Sequence, residues 1–421
     1  MAVSETTATG LRRFAHLGAK AVESFFEIPP TELRRPSGAE GVGAALGAVL
    51  YSPATLENAA ERLFSGFWPG VTAMVFCLED AIADRDLEEG ERRVRALLGT
   101  ARALTDADGT RNGLPYLFVR VRSPQHFEHL LQSWGSLSDE LDGVVLPKIG
   151  AAKVSRYMDL VAGAQAGRDR PLWALPILEG TDIALRESRL EALLAVRETI
   201  AEQRALVPCV RIGATDLSGL WGLRRPRDFT IYDIAVVRDI IADVVNVLGR
   251  DPSSPSISGP VWEYVRDEPV FKPRLRETPF REEFGAQDGP KVRRRLVSAA
   301  IDGLLRETML DRANGLHGKS VIYPSHALAV DAAHVVSHEE WTSALAVRAA
   351  FDAGDGVSAV RGAQRMNEPK PHAQWAQRTL ARAATFGVLR AEHTFLALLQ
   401  DPAGAGVAGR PSREVLSDAR S

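Results

Sequence analysis

The amino-acid sequence predicts an α/β fold, a closed (β/α)₈ TIM barrel with an N-terminal helical extension and a C-terminal helical region. Three observations carry this. Short apolar, β-branched runs recur along residues 44–330, each followed by Gly, Pro or an acidic residue and then by a longer segment of helical period. There are eight such runs, spread over about 280 residues, which is the number and length a barrel of this kind requires. Polar residues stand at the C-terminal ends of most runs, where a barrel builds its active site.

Residues 1–43 read as a helical extension. The expected barrel strands then follow in order: GAVLYSP (Gly47–Pro53), TAMVFCLED (Thr72–Asp80), YLFVRV (Tyr116–Val121), GVVLPKI (Gly143–Ile149), LWALPILEG (Leu172–Gly180), VPCVRIGATD (Val207–Asp216), SISGPVW (Ser256–Trp262) and KSVIYP (Lys319–Pro324). The span 228–300 reads as an insertion, helical over Tyr232–Leu248 and rich in Pro, Arg and Glu from Val265 to Lys291. Residues 331–421 form the C-terminal region, with helical segments at Glu339–Asp352 and Pro371–Ala384 and a small, polar tail expected to fray.

With 421 residues, 45% hydrophobic and 25% charged, and a net charge of −3, the composition is that of a globular chain without the basic field that nucleic-acid or membrane-surface binding uses. Its two cysteines, Cys77 and Cys209, lie inside apolar runs, which suits buried thiols in a reducing, cytoplasmic setting better than a disulfide scaffold. No stretch reaches the ~18 apolar residues of a membrane span, and the N-terminus lacks the apolar core of a secretion signal. A cytoplasmic location is therefore expected, with no nucleic-acid or membrane partner.

In a barrel, Glu79 and Asp80, Arg120 and Arg122, Lys148, Glu179, Asp216 and Lys319 converge on one mouth. Several carboxylates and several cations together suit a divalent metal and an anionic substrate. Hard cations such as Mg²⁺ take oxygen ligands and retain waters, so two carboxylates from different strands are enough; Glu179 and Asp216 are the pair expected. There is no Cys/His cluster of zinc spacing. Arginine at the end of YLFVRV is a natural partner for a substrate carboxylate, because its planar fork holds both oxygens. Arg120 and Arg122 share strand parity and are expected to face the same way.

The segments CLEDAIAD (Cys77–Asp84), FVRVRS (Phe118–Ser123), GVVLPKI, PILEG, IGATDLSGLWG (Ile212–Gly222) and GLHGKSVIYPS (Gly315–Ser325) together resemble the citrate lyase beta-subunit family, the CoA-ester lyases and aldolases of the phosphoenolpyruvate/pyruvate barrel superfamily. Within it the chain looks most like the C–C bond lyase-like branch associated with tellurium-resistance gene clusters. A further likeness runs through Gly362–Ala383. The resemblance implies a Mg²⁺-dependent enzyme that makes or breaks a C–C bond beside a carbonyl, working on a 2-oxo acid or a CoA-ester-like carboxylate. It implies Glu179 and Asp216 as metal ligands and Arg120 as the arginine that holds the substrate and steadies the enolate, with Glu79 and Asp80 supporting that arginine. Arg122, Lys148 and Lys319 are the further substrate-binding candidates. A homo-oligomer, trimer or hexamer, is implied as well. One departure is Tyr323, which stands where many members carry histidine.

Plainer readings stand beside these. Glu179 and Asp216 are good helix caps, Arg120 is an ion-pair partner for Glu79 or Asp80, and Lys148 and Lys319 suit a solvated surface. His317 and His326 are expected as solvent-exposed turn residues. Two other functions also fit: a thioester hydrolase or acyl-condensing enzyme on the same barrel, and a non-catalytic scaffold or pathway partner.

Overall fold

The computed structural model describes residues 11–33, 35, 38–111, 113–264, 278–298, 301–354 and 368–399. Eight parallel strands form its main sheet: β1 (Ala48–Pro53), β2 (Ala73–Cys77), β3 (Tyr116–Arg120), β4 (Gly143–Ile149), β5 (Trp173–Leu178), β6 (Cys209–Ile212), β7 (Ser256–Ser258) and β8 (Lys319–Val321). Each lies within one of the eight apolar runs. Hydrogen bonding follows chain order from β1 to β7, and β8 returns to pair with β1.

The ring closes between β7 and β8 through one bridge, Gly259 with Lys319, in which Ser320 N donates to Gly259 O at 3.1 Å. On the other side of β8, its close approach to the start of β1 depends on Gly318. Its φ is +72°, and a Cβ there would lie 2.5 Å from the carbonyl oxygen of Gly47.

Strands in such a barrel are covered on both faces, which is why they read as continuous apolar runs. Val49, Val75, Phe118, Val145, Leu175 and Cys209 form one cluster inside the ring. Leu50, Met74, Leu117, Val119, Val144 and Leu146 belong to a second, larger cluster shared with the helices. Helix Leu87–Asp108 shows the outer pattern, burying Val94, Leu97, Leu98 and Ala101. Burying each large side chain of this kind stabilises the fold by about 1.5–3 kcal/mol.

The N-terminal extension is not wholly helical. Besides helix Ala19–Phe25 it contributes a short strand, Phe26–Ile28, antiparallel to Val388–Leu389. Helix Ala39–Ala45 packs against the N-terminal end of the ring, where its Val42 joins the interior cluster. Arg13 fastens the extension through Asp331, 3.1 Å away, whose other oxygen accepts from Ala48 N.

The span 228–300 contains a barrel helix, Ala235–Leu248, and strand β7 itself, followed by helix Thr278–Ser298. The first part of the Pro-, Arg- and Glu-rich segment, 265–277, and the tail from residue 400 lie outside the described residues. The C-terminal helices run over His338–Ala353 and Pro369–Phe386, as the sequence predicts within two residues at each end. Among the described residues no helix is long and apolar enough to cross a membrane.

Candidate active site at the C-terminal mouth of the barrel

Strand β5 ends at Leu178, so Glu179 leaves the sheet at its C-terminal rim. The residue is buried, and its Oε1 accepts from the main-chain N–H of Lys148 at 2.8 Å. Lys148 sits at φ +53°, a left-handed conformation uncommon for a residue with a side chain. The β4–β5 register slips here, between Leu146 and Ile149. This local irregularity turns the Lys148 N–H onto Glu179. On the other side, glycine at 213 leaves the carboxylate room: a Cβ there would stand 1.8 Å from Glu179 Oε2. Burial, and then the negative charge of Asp216, push the Glu179 carboxyl up to about 8, and Lys148 and Arg120 offset only part of this.

Asp216 lies in the first turn of helix Ala214–Gly219, just after β6. Its Oδ1 pairs with the Lys148 ammonium, which also stands 3.2 Å from Asp80 Oδ2 and 3.6 Å from Glu79 Oε1. Desolvation opposes charge on this lysine. The Asp216 hydrogen bond and the charges of Glu179 and Glu79 outweigh it, and the Lys148 pKa is raised. Neither Glu179 nor Asp216 caps a helix, because the N-cap residues are Gly180 and Gly213 and no side-chain cap is made.

Arg120, the last residue of β3, completes the group. Its Nη2 is 2.8 Å from Glu79 Oε2 and 3.3 Å from Asp80 Oδ2, and its Nε donates to Cys77 Sγ at 3.1 Å. The ion-pair and substrate-binding readings are therefore compatible for this arginine. Burial works against its charge, but Cys77 and Glu79 hold its pKa above the ordinary value. Burial raises the Glu79 carboxyl. Burial acts on Asp80 as well, yet its hydrogen bond to Glu79 and the nearby Lys148 and Arg120 bring it below the usual range.

One layer deeper, the Tyr51 ring lies between two guanidinium groups, 6.0 Å from Arg120 and 5.4 Å from Arg211. Arg211 is 1% exposed and donates to Ser320 Oγ at 2.8 Å, leaving its Nε and Nη1 without partners among the described residues. The buried Tyr51 hydroxyl has none either.

The mouth thus brings together Glu79, Asp80, Arg120, Lys148, Glu179 and Asp216. It does not bring in Lys319. That residue opens β8 instead of ending it, faces outward, and is fully buried with its ammonium 2.9 Å from Glu307 and 2.6 Å from Asp311. Arg122 lies beyond the end of β3 and turns to the loop after β2, where it donates to Leu78 O at 2.6 Å and pairs with Asp84. It shares no partner with Arg120. His326 is buried, and His317 is enclosed, its Nε2 2.9 Å from Ala44 O, so neither is an exposed turn residue. Tyr51, Arg211 and Gly213 are the site residues the sequence reading passed over. Arg211 had a signal: it alternates with Cys209 in β6 and so shares the inward face.

Glu179 and Asp216 are oxygen donors of the kind a hard divalent cation accepts. No group of three or more His, Cys, Asp or Glu side chains suited to a metal occurs among the described residues. Water or substrate oxygens would have to complete the coordination.

Parallel strands closed into a ring, with acidic and basic side chains gathered at their C-terminal rim, define a TIM-barrel protein. More narrowly, the chain belongs to the C–C bond lyase family of the TIM-barrel fold, whose profile matches residues 41–388. No curated protein matches it. Among solved structures it is similar to Mycobacterium tuberculosis CitE in complex with magnesium, acetoacetate and coenzyme A (19% identity over 81% of this chain and 99% of that one, TM-score 0.48). It is also similar to RipC of Yersinia pestis (16% identity, 69% and 95% covered, TM-score 0.42) and to the M. tuberculosis citrate lyase beta subunit with oxaloacetate and magnesium (17% identity, 69% and 98% covered, TM-score 0.41).

Proposed function

We propose that this protein is a Mg²⁺-dependent carbon–carbon lyase or aldolase that acts beside a carbonyl, through an enolate, on a carboxylate-bearing substrate of the 2-oxo acid or acyl-CoA type. The observation that carries the reading is Glu179: a buried carboxylate beside Asp216 in the mouth of a C–C bond lyase family barrel, with its carboxyl raised to about 8. Burial and the charge of Asp216 both disfavour an ionised Glu179, which is the condition a divalent cation relieves. The residues fit that ion in two further ways. Glycine at 213 leaves the space the Glu179 carboxylate occupies, and the Lys148 ammonium already marks a cation position against Asp216.

Glu179 and Asp216 would hold Mg²⁺, which when bound supplies a Lewis acid for the charge that develops on the substrate's carbonyl oxygen. Arg120 receives the substrate carboxylate with its guanidinium fork and shares the developing charge. Glu79 and Asp80 fix the direction of that fork, so the arginine does not have to be reoriented during reaction. Arg211 and Tyr51 form a buried cationic floor beneath the substrate, while the apolar ring interior below them excludes water.

The test pairs binding with product analysis. Mg²⁺ titration should be saturable in the wild type and lost in Glu179→Gln, and incubation with 2-oxo acids and CoA esters should give C–C cleavage or its reverse in the wild type only. Thioester hydrolysis without any change in the carbon skeleton would overturn the lyase reading. Wild-type Mg²⁺ affinity in Glu179→Gln would overturn the ligand assignment.

A further inference from the structure

A second cleft lies at the opposite end of the barrel, where the N-terminal ends of β6 and β7 meet helix Pro369–Phe386. Its cavity is about 680 Å³, within the range of small-molecule sites. Four arginines line it, Arg204, Arg312, Arg378 and Arg382, against two carboxylates, Glu40 and Glu340. Glu340 is already shared, its Oε1 lying 2.9 Å from Arg312 and 3.2 Å from Arg382. Arg378 donates to the carbonyl oxygen of Gly249 at 3.1 Å and Arg204 to that of Val207 at 2.5 Å, and neither forms an ion pair among the described residues.

The cleft also holds polar hydrogens without acceptors. Nε of Arg312, Nε of Arg382 and Nε2 of Gln374 are buried and unpartnered among the described residues. Burial, and then the charge of Arg312, lower the Arg382 pKa to about 10, and burial keeps His317 and His334 neutral. Positive charge and N–H donors thus exceed what the described residues of the protein offer in return. An anion with several oxygens answers both deficits, and arginine forks match phosphoryl oxygens best. Trp375, 36% exposed, lines the same cleft and precedes Arg378 and Arg382 by three and seven residues on one helix, so all three share a face. Its indole supplies a flat apolar surface beside the charged one.

We propose that this cleft binds a phosphorylated small molecule carrying a flat ring, of the nucleoside-phosphate class, with Arg378 and Arg382 on the phosphates and Trp375 against the ring. This site is separate from the mouth and does not depend on the activity proposed there. Isothermal titration of the full chain in metal-free, low-salt buffer, with ADP, pyrophosphate and adenosine as probes, tests it. ADP is expected to saturate with a Kd at or below about 0.1 mM, pyrophosphate to bind about tenfold more weakly, and adenosine alone not to bind. Arg378→Gln should weaken ADP and pyrophosphate about tenfold, and Trp375→Leu should weaken ADP while leaving pyrophosphate unchanged. Both side chains are exposed enough for the variants to fold, and thermal melts verify this. Glu179→Gln, altered only at the mouth, should bind ADP as the wild type does. The proposal is overturned if ADP fails to saturate by about 5 mM, if Arg378→Gln binds it normally, or if Glu179→Gln loses it. Pyrophosphate binding equal to that of ADP, with no effect of Trp375→Leu, would overturn the ring contact.

Discussion

The main-chain N–H of Lys148 holds the Glu179 carboxylate at 2.8 Å, while the ammonium of the same residue pairs with Asp216. One residue therefore positions one proposed metal ligand and neutralises the other. Lys148→Met keeps the N–H and removes the cation. In that variant Mg²⁺ no longer competes with an ammonium for Asp216, so its affinity should rise about tenfold, and the metal-free protein should melt earlier because the clustered carboxylates lose their counter-charge. Titration calorimetry and melting curves read both. Unchanged or weaker Mg²⁺ binding would mean that the ammonium does not occupy the metal's place.

Glu179 must lose its proton before it can ligate a metal. With its carboxyl at about 8, Mg²⁺ binding at pH 7 should release close to one proton, and the apparent affinity should fall about tenfold per pH unit below about 8. Without metal the sign runs the other way from an ordinary salt-bridged acid. The folded state holds the proton between 4.5 and about 8 where the unfolded state does not, so this group's contribution to stability is lost as pH rises through that window. Calorimetry in buffers of different ionisation heat detects the released proton. Buffer-independent heats at pH 7 would contradict the assignment.

The barrel was legible because strands buried on both faces leave long apolar runs whose polar ends mark the rim, and Glu79, Asp80, Arg120, Lys148, Glu179 and Asp216 are all such rim residues. Tyr51 and Arg211 were not, because they sit inside runs that look uniformly buried, and only parity separates the ring interior from the helix-facing side. Lys319 misled for a related reason. Its strand spans only Lys319–Val321, too short for periodicity to show that Lys319 opens it and lies at the far end of the ring from the mouth. The strand Phe26–Ile28 left no local trace either, since its partner lies at Val388–Leu389, nearly the whole chain away.

Gly213→Ala is a small change with a large expected effect. The added Cβ would stand 1.8 Å from Glu179 Oε2, so the carboxylate must move or the start of helix Ala214–Gly219 must shift. Overpacking of this kind costs about 1–3 kcal/mol. The variant should remain folded, melt several degrees lower, and bind Mg²⁺ at least about tenfold more weakly. Wild-type affinity in a folded Gly213→Ala would mean that Glu179 does not need its present position to hold the ion.

Lys319→Met separates a structural lysine from a substrate-binding one. Removing the ammonium leaves Glu307 with Arg225 as its counter-charge and Asp311 with the Tyr232 hydroxyl but no cation, in a site with no exposure, and Asp311 is already raised to about 6 by burial despite that lysine. Breaking a buried pair in this way costs about 3–5 kcal/mol. Chemical unfolding should show that loss, while Mg²⁺ and substrate affinities of the folded fraction stay unchanged. Unaltered stability with weakened substrate binding would restore Lys319 to the mouth.

Three enclosed histidines should make the protein acid-labile. Burial lowers His317 and His326 to about 4 and His334 well below its ordinary value, whereas each takes up a proton near 6.5 once unfolded. Between those limits the unfolded state binds more protons, so stability is complete above about 6.5 and is lost as pH falls, by about 1.4 kcal/mol per pH unit for each histidine. Glu179 and Asp311, the latter raised to about 6 by burial, oppose this with up to one proton each. The net slope of unfolding free energy from pH 6 to 5 should therefore be positive, the three histidines outweighing the two carboxyls. His326 Nδ1 has no partner among the described residues, so His326→Leu can remove one of the three without stranding a hydrogen bond there. Urea unfolding across pH should show the slope reduced by about one proton's worth in that variant. A slope identical to the wild type would mean that His326 is already protonated in the folded barrel.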